Sequence, residues 1–419
     1  DGEGWVSMSI RAQLSFMEVS VTRLDGTVHR LELSAEARAR DLRLGLGAHF
    51  GIPTGSQRLL VGESILADED ALAVHANGGQ LSVQLVQVPM GSPCIVGGLE
   101  VSKSGERYDS EQGAWEPLPA LRNARAHCAA LVLHGSLYVV GGWDGVRAVA
   151  SSERLCFGPG AVWQPLPPLI EARKFCAAVA IGGAVHVVGG HTGDRALASV
   201  ERLKETWEQL APMLQARQGC SAVELGGHLY AVGGVMGRGA ICAERLDPAS
   251  GLWEPLPQAS KPRARCAAVA LGGALYVLGG SDGYHFLATV ERFDPKYGVW
   301  EELAQMREAR HGLAAAAFAG TVCVAGGSTG YRTLASAECY SPEAEQWLPL
   351  PHMAQPRFGV AALALGDWLY VVGGTDGTRP LPWAERLGAQ HVAAGGGGGA
   401  WEQLAPLAEP RCACAIAAT

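Results

Sequence analysis

Apolar runs of about five residues recur along most of the chain, each closed by glycine or another turn residue. Residues 136–145 read SLYVVGGWDG. The phrase returns as AVHVVGGHTG (184–193), HLYAVGGVMG (228–237), ALYVLGGSDG (274–283), TVCVAGGSTG (321–330) and WLYVVGGTDG (368–377). A clipped copy, PCIVGGLE, sits at 93–100. Runs this short, ended by turn residues, predict strands of a β protein. The Gly-Gly pairs begin at 97, 141, 189, 233, 279, 326 and 373, a spacing of 44–48 residues. Tryptophan keeps the same period at Trp115, Trp163, Trp207, Trp253, Trp300, Trp347 and Trp401, and so does arginine at Arg125, Arg173, Arg217, Arg263, Arg310, Arg357 and Arg411. Three separate markers therefore count seven units.

Each unit predicts four strands: an Ala/Val run after the arginine, the run ending in Gly-Gly, a strand carrying Glu-Arg, and one around the tryptophan. Four-stranded units of this length arranged radially make a β-propeller. The first unit lacks an arginine-plus-alanine strand before its Gly-Gly, while residues 411–419 supply one, RCACAIAAT. The C-terminal strand is expected to complete the first blade and close the ring, which removes exposed sheet edges. The run GGGGG at 395–399 lengthens the last unit and predicts a flexible loop between its outer two strands.

The Gly-Gly doublet, the downstream stretches ERYD, ERLD and ERFD, and the tryptophan fall in the order found in the kelch family, which residues 91–419 resemble. The resemblance implies a propeller whose mouth grips peptide ligands. Before Met90 the period is absent. There FMEVSVTRLDGTVHRLELS (16–34) predicts a hairpin turning at Leu-Asp-Gly. AEARARDLRLGLGAHFGIP (35–53) predicts a helix, QRLLVG (57–62) a third strand and QLSVQLVQV (80–88) a last one. This α+β order is that of a β-grasp, and GIP followed by QRLLVGESILADEDAL, with LSVQLV, is similar to ubiquitin over residues 16–89. Residues 1–15 read as an N-terminal extension. In ubiquitin-like domains an apolar patch on the sheet binds partners, and the resemblance places it at Leu24, Leu60 and Gln84. The domain has no lysine before Lys103 and no free conjugation tail after its last strand, so it is not expected to build chains.

Net charge is −8, which disfavours nucleic acid and anionic membrane, and no apolar run approaches a bilayer span. The 11 cysteines form no CxxC pair, and no charged-then-apolar leader opens the sequence, which predicts a cytoplasmic or nuclear protein. Glu106, Glu153, Glu201, Glu244, Glu291, Glu338 and Glu385 recur once per unit. A catalytic carboxylate is needed once, so the series predicts pairs with the arginines that tie strands together. The tryptophans predict packing between blades. Three residues after each arginine stand Cys128, Cys176, Cys220, Cys266, Leu313, Val360 and Cys414, small hydrophobes expected near the axis; a redox or metal ring is the sharper alternative.

Function is expected where blades differ. The loops after Gly-Gly carry Trp143, Arg147, His191, Arg195, Arg238, Tyr284, His285, Tyr331, Arg332 and Arg379. The turns entering the innermost strands add His127, Lys174, Phe175, Arg265, His311 and Phe358, and hydroxyls precede the glutamates at Ser151, Ser199 and Ser336. Such a mouth, rich in arginine, suits carboxylate or phosphate on a peptide. The expectation is a non-enzymatic interaction module without cofactor, docking to ubiquitin or proteasome machinery through its first domain and serving as a ubiquitin-ligase substrate adaptor. An actin-associated scaffold and a copper oxidase of the galactose-oxidase type are the alternatives.

Overall fold

The computed structural model describes residues 5–12, 16–23, 28–34, 57–61, 64–65, 80–87, 91–98, 101–158, 160–234, 242–247, 250–393, 399–412 and 414–418. The chain divides near Gly91 into two compact units.

The second unit contains seven four-stranded antiparallel sheets. The blade carrying the first full phrase is typical: Ala129–Leu133 lies innermost, followed by Ser136–Val140, Ser152–Cys156 and Trp163–Pro165. Register follows the turns, so Ala129 faces Val140 and Leu155 faces Trp163. The second strand is the most deeply buried, because it packs on neighbours at both faces; Leu137, Val139 and Val140 are wholly covered. Innermost strands such as Ala177–Ile181 are half-buried along their length, as befits an open axis.

Closure occurs as expected. Ala415–Ala418 is the innermost strand of the blade formed by Pro93–Val96, Gly105–Asp109 and Ala114–Pro117, with Ala415 opposite Val96 and Ala418 opposite Pro93. In the last blade a five-residue helix, Ala389–Ala393, follows the third strand, Ala384–Gly388. It precedes the outer strand Glu402–Gln403, so the insertion falls between the two outer strands. Most of the glycine run itself lies outside the described residues.

Blades are joined by the tryptophans. Each of five indole N–H groups donates to a backbone carbonyl of the preceding blade's exit loop: Trp163 to Pro119 (2.8 Å), Trp253 to Ala211 (3.0 Å), Trp300 to Pro257 (2.8 Å), Trp347 to Ala304 (2.8 Å) and Trp401 to Pro351 (2.7 Å). Trp207 donates instead to the Ser152 hydroxyl at 3.1 Å. Apolar clusters straddle the same seams; one joins Cys94 and Val96 of the first blade to Leu137, Val139 and Trp163 of the second. These are packing contacts between blades, as the spacing implied.

The Gly-Gly doublet is a second seam. In Gly189-Gly190, the N–H of Gly190 donates to the Arg217 carbonyl of the next blade at 2.7 Å. A Cβ on Gly189 would sit 2.6 Å from that same oxygen, and its φ is +58°. Gly189→Ala is therefore expected to destabilise the propeller by about 3 kcal/mol or more, from steric overlap plus left-handed strain. Thermal unfolding checks this; an unchanged midpoint would refute the close-approach reading.

Among the described residues the first unit contains a six-stranded sheet ordered Val28–Ser34, Phe16–Arg23, Trp5–Ala12, Gln80–Gln87, Gln57–Val61, Ser64–Ile65. The hairpin and the third and last strands stand where the patterns placed them. The segment read as an extension differs: Trp5–Ala12 is a strand between the hairpin and the last strand, antiparallel to both. Its own alternation, Val6, Met8 and Ile10 against Ser7 and Ser9, carries the signal, and Ile10 falls in register with Val19 and Leu81. The expected helix at 35–53 and Leu24 lie outside the described residues. Leu60 and Gln84 are register partners.

Candidate functional site: the propeller mouth

The mouth is built on a buried ionic framework. Arg263 shows it fully: Nη2 and Nε reach Glu291 Oε2 at 2.6 and 3.2 Å, and Nη1 donates to the carbonyls of Gly279 (3.0 Å) and Thr289 (2.9 Å). The other Glu291 oxygen accepts the N–H of Ser260 at 2.6 Å. Arg263 and Glu291 are 2% exposed, and all seven arginines and their glutamates are buried. One guanidinium thereby fixes the Gly-Gly strand, the Glu strand and its own entry turn in each blade. Arg411–Glu106 (3.1 Å) does the same across the closing blade.

Above this framework, the residue after the arginine bridges the residue after Gly-Gly in five blades among the described residues: Ala126 with Trp143, Lys174 with His191, Ala264 with Ser281, His311 with Ser328 and Phe358 with Thr375. The next residue forms a rim from blade to blade. Phe175 N donates to His127 O (3.1 Å), Gly219 to Phe175 (2.8 Å), Gly312 to Arg265 (3.1 Å) and Gly359 to Gly312 (2.8 Å). Every described rim residue has a left-handed backbone. Three are glycine; His127 (φ 51°), Phe175 (φ 53°) and Arg265 (φ 52°) are not.

The loop arginines do not form a free basic surface. Arg195 pairs with Glu171 at 2.5 Å and Arg332 pairs with Glu308. Arg147 and Arg379 lie 3.8 and 3.5 Å from Asp144 and Asp376 of their own turns. Lys174 Nζ sits 3.9 Å above the Trp143 ring. The basic mouth expected from sequence is thus largely neutralised, since each of these cations already has a partner. Glu171 and Glu308 escaped the sequence reading, yet with Glu409 they share a signature: each stands two residues before a framework arginine. The hydroxyls are engaged too. Ser199 and Ser336 donate to Glu171 (2.7 Å) and Glu308 (2.6 Å), while Ser151, Ser199 and Ser336 accept from Arg125, Arg173 and Arg310. His191 Nδ1 accepts the Gly193 N–H at 2.9 Å, closing its own loop. Thr378's hydroxyl, with the N–H groups of Arg379 and Thr378, holds the Asp376 carboxyl down to about 2. Arg238 lies outside the described residues.

Several aromatic side chains remain open at the mouth. Tyr331 is wholly exposed, Tyr284 is 87% exposed and Phe286 is 39% exposed. Phe286 stacks on His311 at 4.2 Å, with Phe358 6.2 Å beyond, and His127 packs on Phe175 at 4.2 Å. Burial lowers the pKa of both His127 and His311, so each is neutral at physiological pH. Phe286 was missed by sequence reading.

The axial cysteines behave as apolar filling. Burial pushes the thiols of Cys176 and Cys414 to about 12 and those of Cys220 and Cys266 to about 11. A thiol this high is protonated and unreactive, which weighs against a redox ring. Among the described residues no three His, Cys, Asp or Glu side chains converge as a metal set. Iodoacetamide at pH 8 should modify exposed Cys156 of the native protein far faster than the axial thiols, read by peptide mass spectrometry. Fast labelling of Cys220 would contradict the burial argument. Because these folded pKa values lie above the unfolded value near 8.5, the unfolded state loses its protons first, and stability should fall as pH rises from about 8.5 toward 11.

With this geometry in hand, the comparisons with known proteins are consistent. The Kelch motif matches residues 124–169, and the KLHDC2/KLHL20/DRC7 Kelch-repeats domain matches residues 176–374. The chain therefore carries kelch repeats, and they form a seven-bladed kelch β-propeller. The solved structure of YjhT aligns with a TM-score of 0.52 at 15% identity, covering 64% of this chain and 96% of that one, a likeness of fold alone. No curated protein matches the chain.

Proposed function

We propose that this protein is a non-enzymatic interaction module of the cytoplasm or nucleus whose propeller mouth captures a segment of a partner protein. The observation that carries the reading is the contrast between blades. Arginine, glutamate, tryptophan and the Gly-Gly doublet repeat in all seven, whereas the loops after each doublet differ and expose Tyr284, Phe286 and Tyr331. Exposed aromatics beside polar groups are the usual anchors of protein recognition. The first unit supplies the second half of the proposal: its sequence resemblance to ubiquitin supports docking to ubiquitin or proteasome components, and an adaptor role follows if both halves act together. The kelch fold alone would not specify this.

Affinity capture with the full chain tests both halves. Tyr284→Ala/Tyr331→Ala is expected to deplete mouth-bound partners at least tenfold, since both side chains are solvent-exposed and their loss spares the fold. Leu60→Asp is expected to deplete ubiquitin-system partners selectively. An unchanged partner list for the tyrosine variant would rule out the mouth; an unchanged list for Leu60→Asp would remove the first unit's assigned role.

A further inference from the structure

One blade breaks the pattern of side chains paired across its middle strands. In the others the residue after the recurring glutamate is arginine, and in most of them its register partner is tyrosine, as in Tyr230–Arg245, Tyr276–Arg292 and Tyr370–Arg386. Arg245, Arg292 and Arg386 each pair in turn with a glutamate of the outer strand. In the blade built from Ala314–Phe318, Thr321–Ala325, Ala337–Ser341 and Gln346–Leu350, the same row reads Cys323, Cys339, Leu348. Both members of the pair are cysteine here. Alanine or valine would fill this row as well, so apolar packing does not call for two sulfurs in register.

The ladder sets their spacing. Three positions along it, the Gly326 N–H donates to the Ser336 carbonyl at 3.1 Å. Hydrogen-bonded and non-hydrogen-bonded pairs alternate, so Cys323 and Cys339 form a non-hydrogen-bonded pair, whose Cα atoms lie roughly 4.5 Å apart with the side chains close together. A disulfide spans about 4.4–6.8 Å between Cα atoms, so the backbone is already in place for one. Both thiols are free and buried. The hydrogen bond from Cys323 lowers the pKa of Cys339, while the same bond, with burial, raises that of Cys323. Cys339 is thereby the first of the two to ionise, in contrast to the axial thiols.

We infer that Cys323 and Cys339 are a reversible redox site, oxidised by hydrogen peroxide to a cross-strand disulfide and restored by a dithiol. The Cys339 thiolate attacks one peroxide oxygen: an S–O bond forms, the O–O bond breaks, and hydroxide takes up a proton to leave as water. Cys323 then gives up its proton and attacks the Cys339 sulfur. The S–S bond forms, the S–O bond breaks, and the second hydroxide departs with that proton as water. Two thiols and one peroxide thus yield one disulfide and two waters, and exchange with a dithiol returns both thiols. Leu348, which faces Cys339, belongs to the edge strand of its sheet. Local opening of that edge admits a molecule of peroxide's size without global unfolding. The bond would tie together the two strands whose connecting loop presents Tyr331.

The full chain is reduced, freed of reductant, exposed to hydrogen peroxide, and denatured in excess iodoacetamide. Trypsin cuts after Arg332, so the disulfide joins the peptide of residues 311–332 to that of residues 333–357. Mass spectrometry is expected to find this linked pair, and dithiothreitol added before alkylation should abolish it. Dimedone should trap a sulfenic acid at Cys339 in Cys323→Ala and none at Cys323 in Cys339→Ala. Oxidation should also raise the thermal midpoint of the wild type by about 2–5 °C, a shift absent from Cys339→Ala. Recovery of both cysteines as alkylated thiols, at a peroxide dose that fully oxidises exposed Cys156, would overturn the inference and leave the pair as apolar filling. That readout uses the wild type alone, so a variant that fails to fold does not shield the inference.

Discussion

Glu291→Ala is expected to lower the unfolding free energy by about 3–5 kcal/mol, a large share of a domain's stability. The carboxylate is 2% exposed and receives two nitrogens of Arg263 on one oxygen and the Ser260 N–H on the other. Its removal strands a buried guanidinium and orphans a backbone donor at once, and each carries its desolvation cost. Arg263→Met/Glu291→Leu should recover much of the loss, because an apolar pair of similar volume needs no counter-charge. The carbonyls of Gly279 and Thr289 would still lose their donor, so recovery is expected to be incomplete. Urea denaturation of the three variants decides the matter. A loss below about 1 kcal/mol for Glu291→Ala would mean that the pair is ornamental.

Deleting residues 415–419 should have a different signature: loss of cooperative unfolding and concentration-dependent aggregation. The four described residues of this strand supply the innermost layer of the closing blade, and their removal exposes the strand edge of Pro93–Val96. Open edges template pairing with other chains. Size-exclusion chromatography across concentrations reads the outcome, and a monomeric, cooperatively unfolding truncation would show that closure contributes little.

The ring was legible because its demands repeat. Seven arginines, seven glutamates and seven doublets each perform one local task, and repetition separates them from background. The strand Trp5–Ala12 was overlooked because it occurs once and carries only a short alternation. At the mouth the sequence revealed which residues were available but not who claims them. Arg195 and Glu171 are 24 positions apart, as are Arg332 and Glu308, and the blade geometry that brings them together is invisible to composition. A count of arginines overstated the positive charge for that reason. The three left-handed rim residues were likewise hidden, since nothing in HCAA, FCAA or RCAA announces a backbone normally left to glycine.

That rim has a stability consequence. Arg265→Gly should hold or raise the unfolding free energy, by up to about 1 kcal/mol, because strain relief outweighs the entropy that glycine adds to the unfolded chain. A destabilised Arg265→Gly would indicate packing by the side chain instead.

The closing blade also sets a clock for biosynthesis. Val96 leaves the ribosome about 320 residues before its partner Ala415. At roughly 5–20 residues per second the gap lasts on the order of 15–65 seconds. Throughout that interval the nascent first blade presents an unpaired strand, while six later blades emerge and stack beside it. Productive maturation therefore depends on shielding one edge for most of a translation cycle, which makes this strand the natural point for a chaperone to engage.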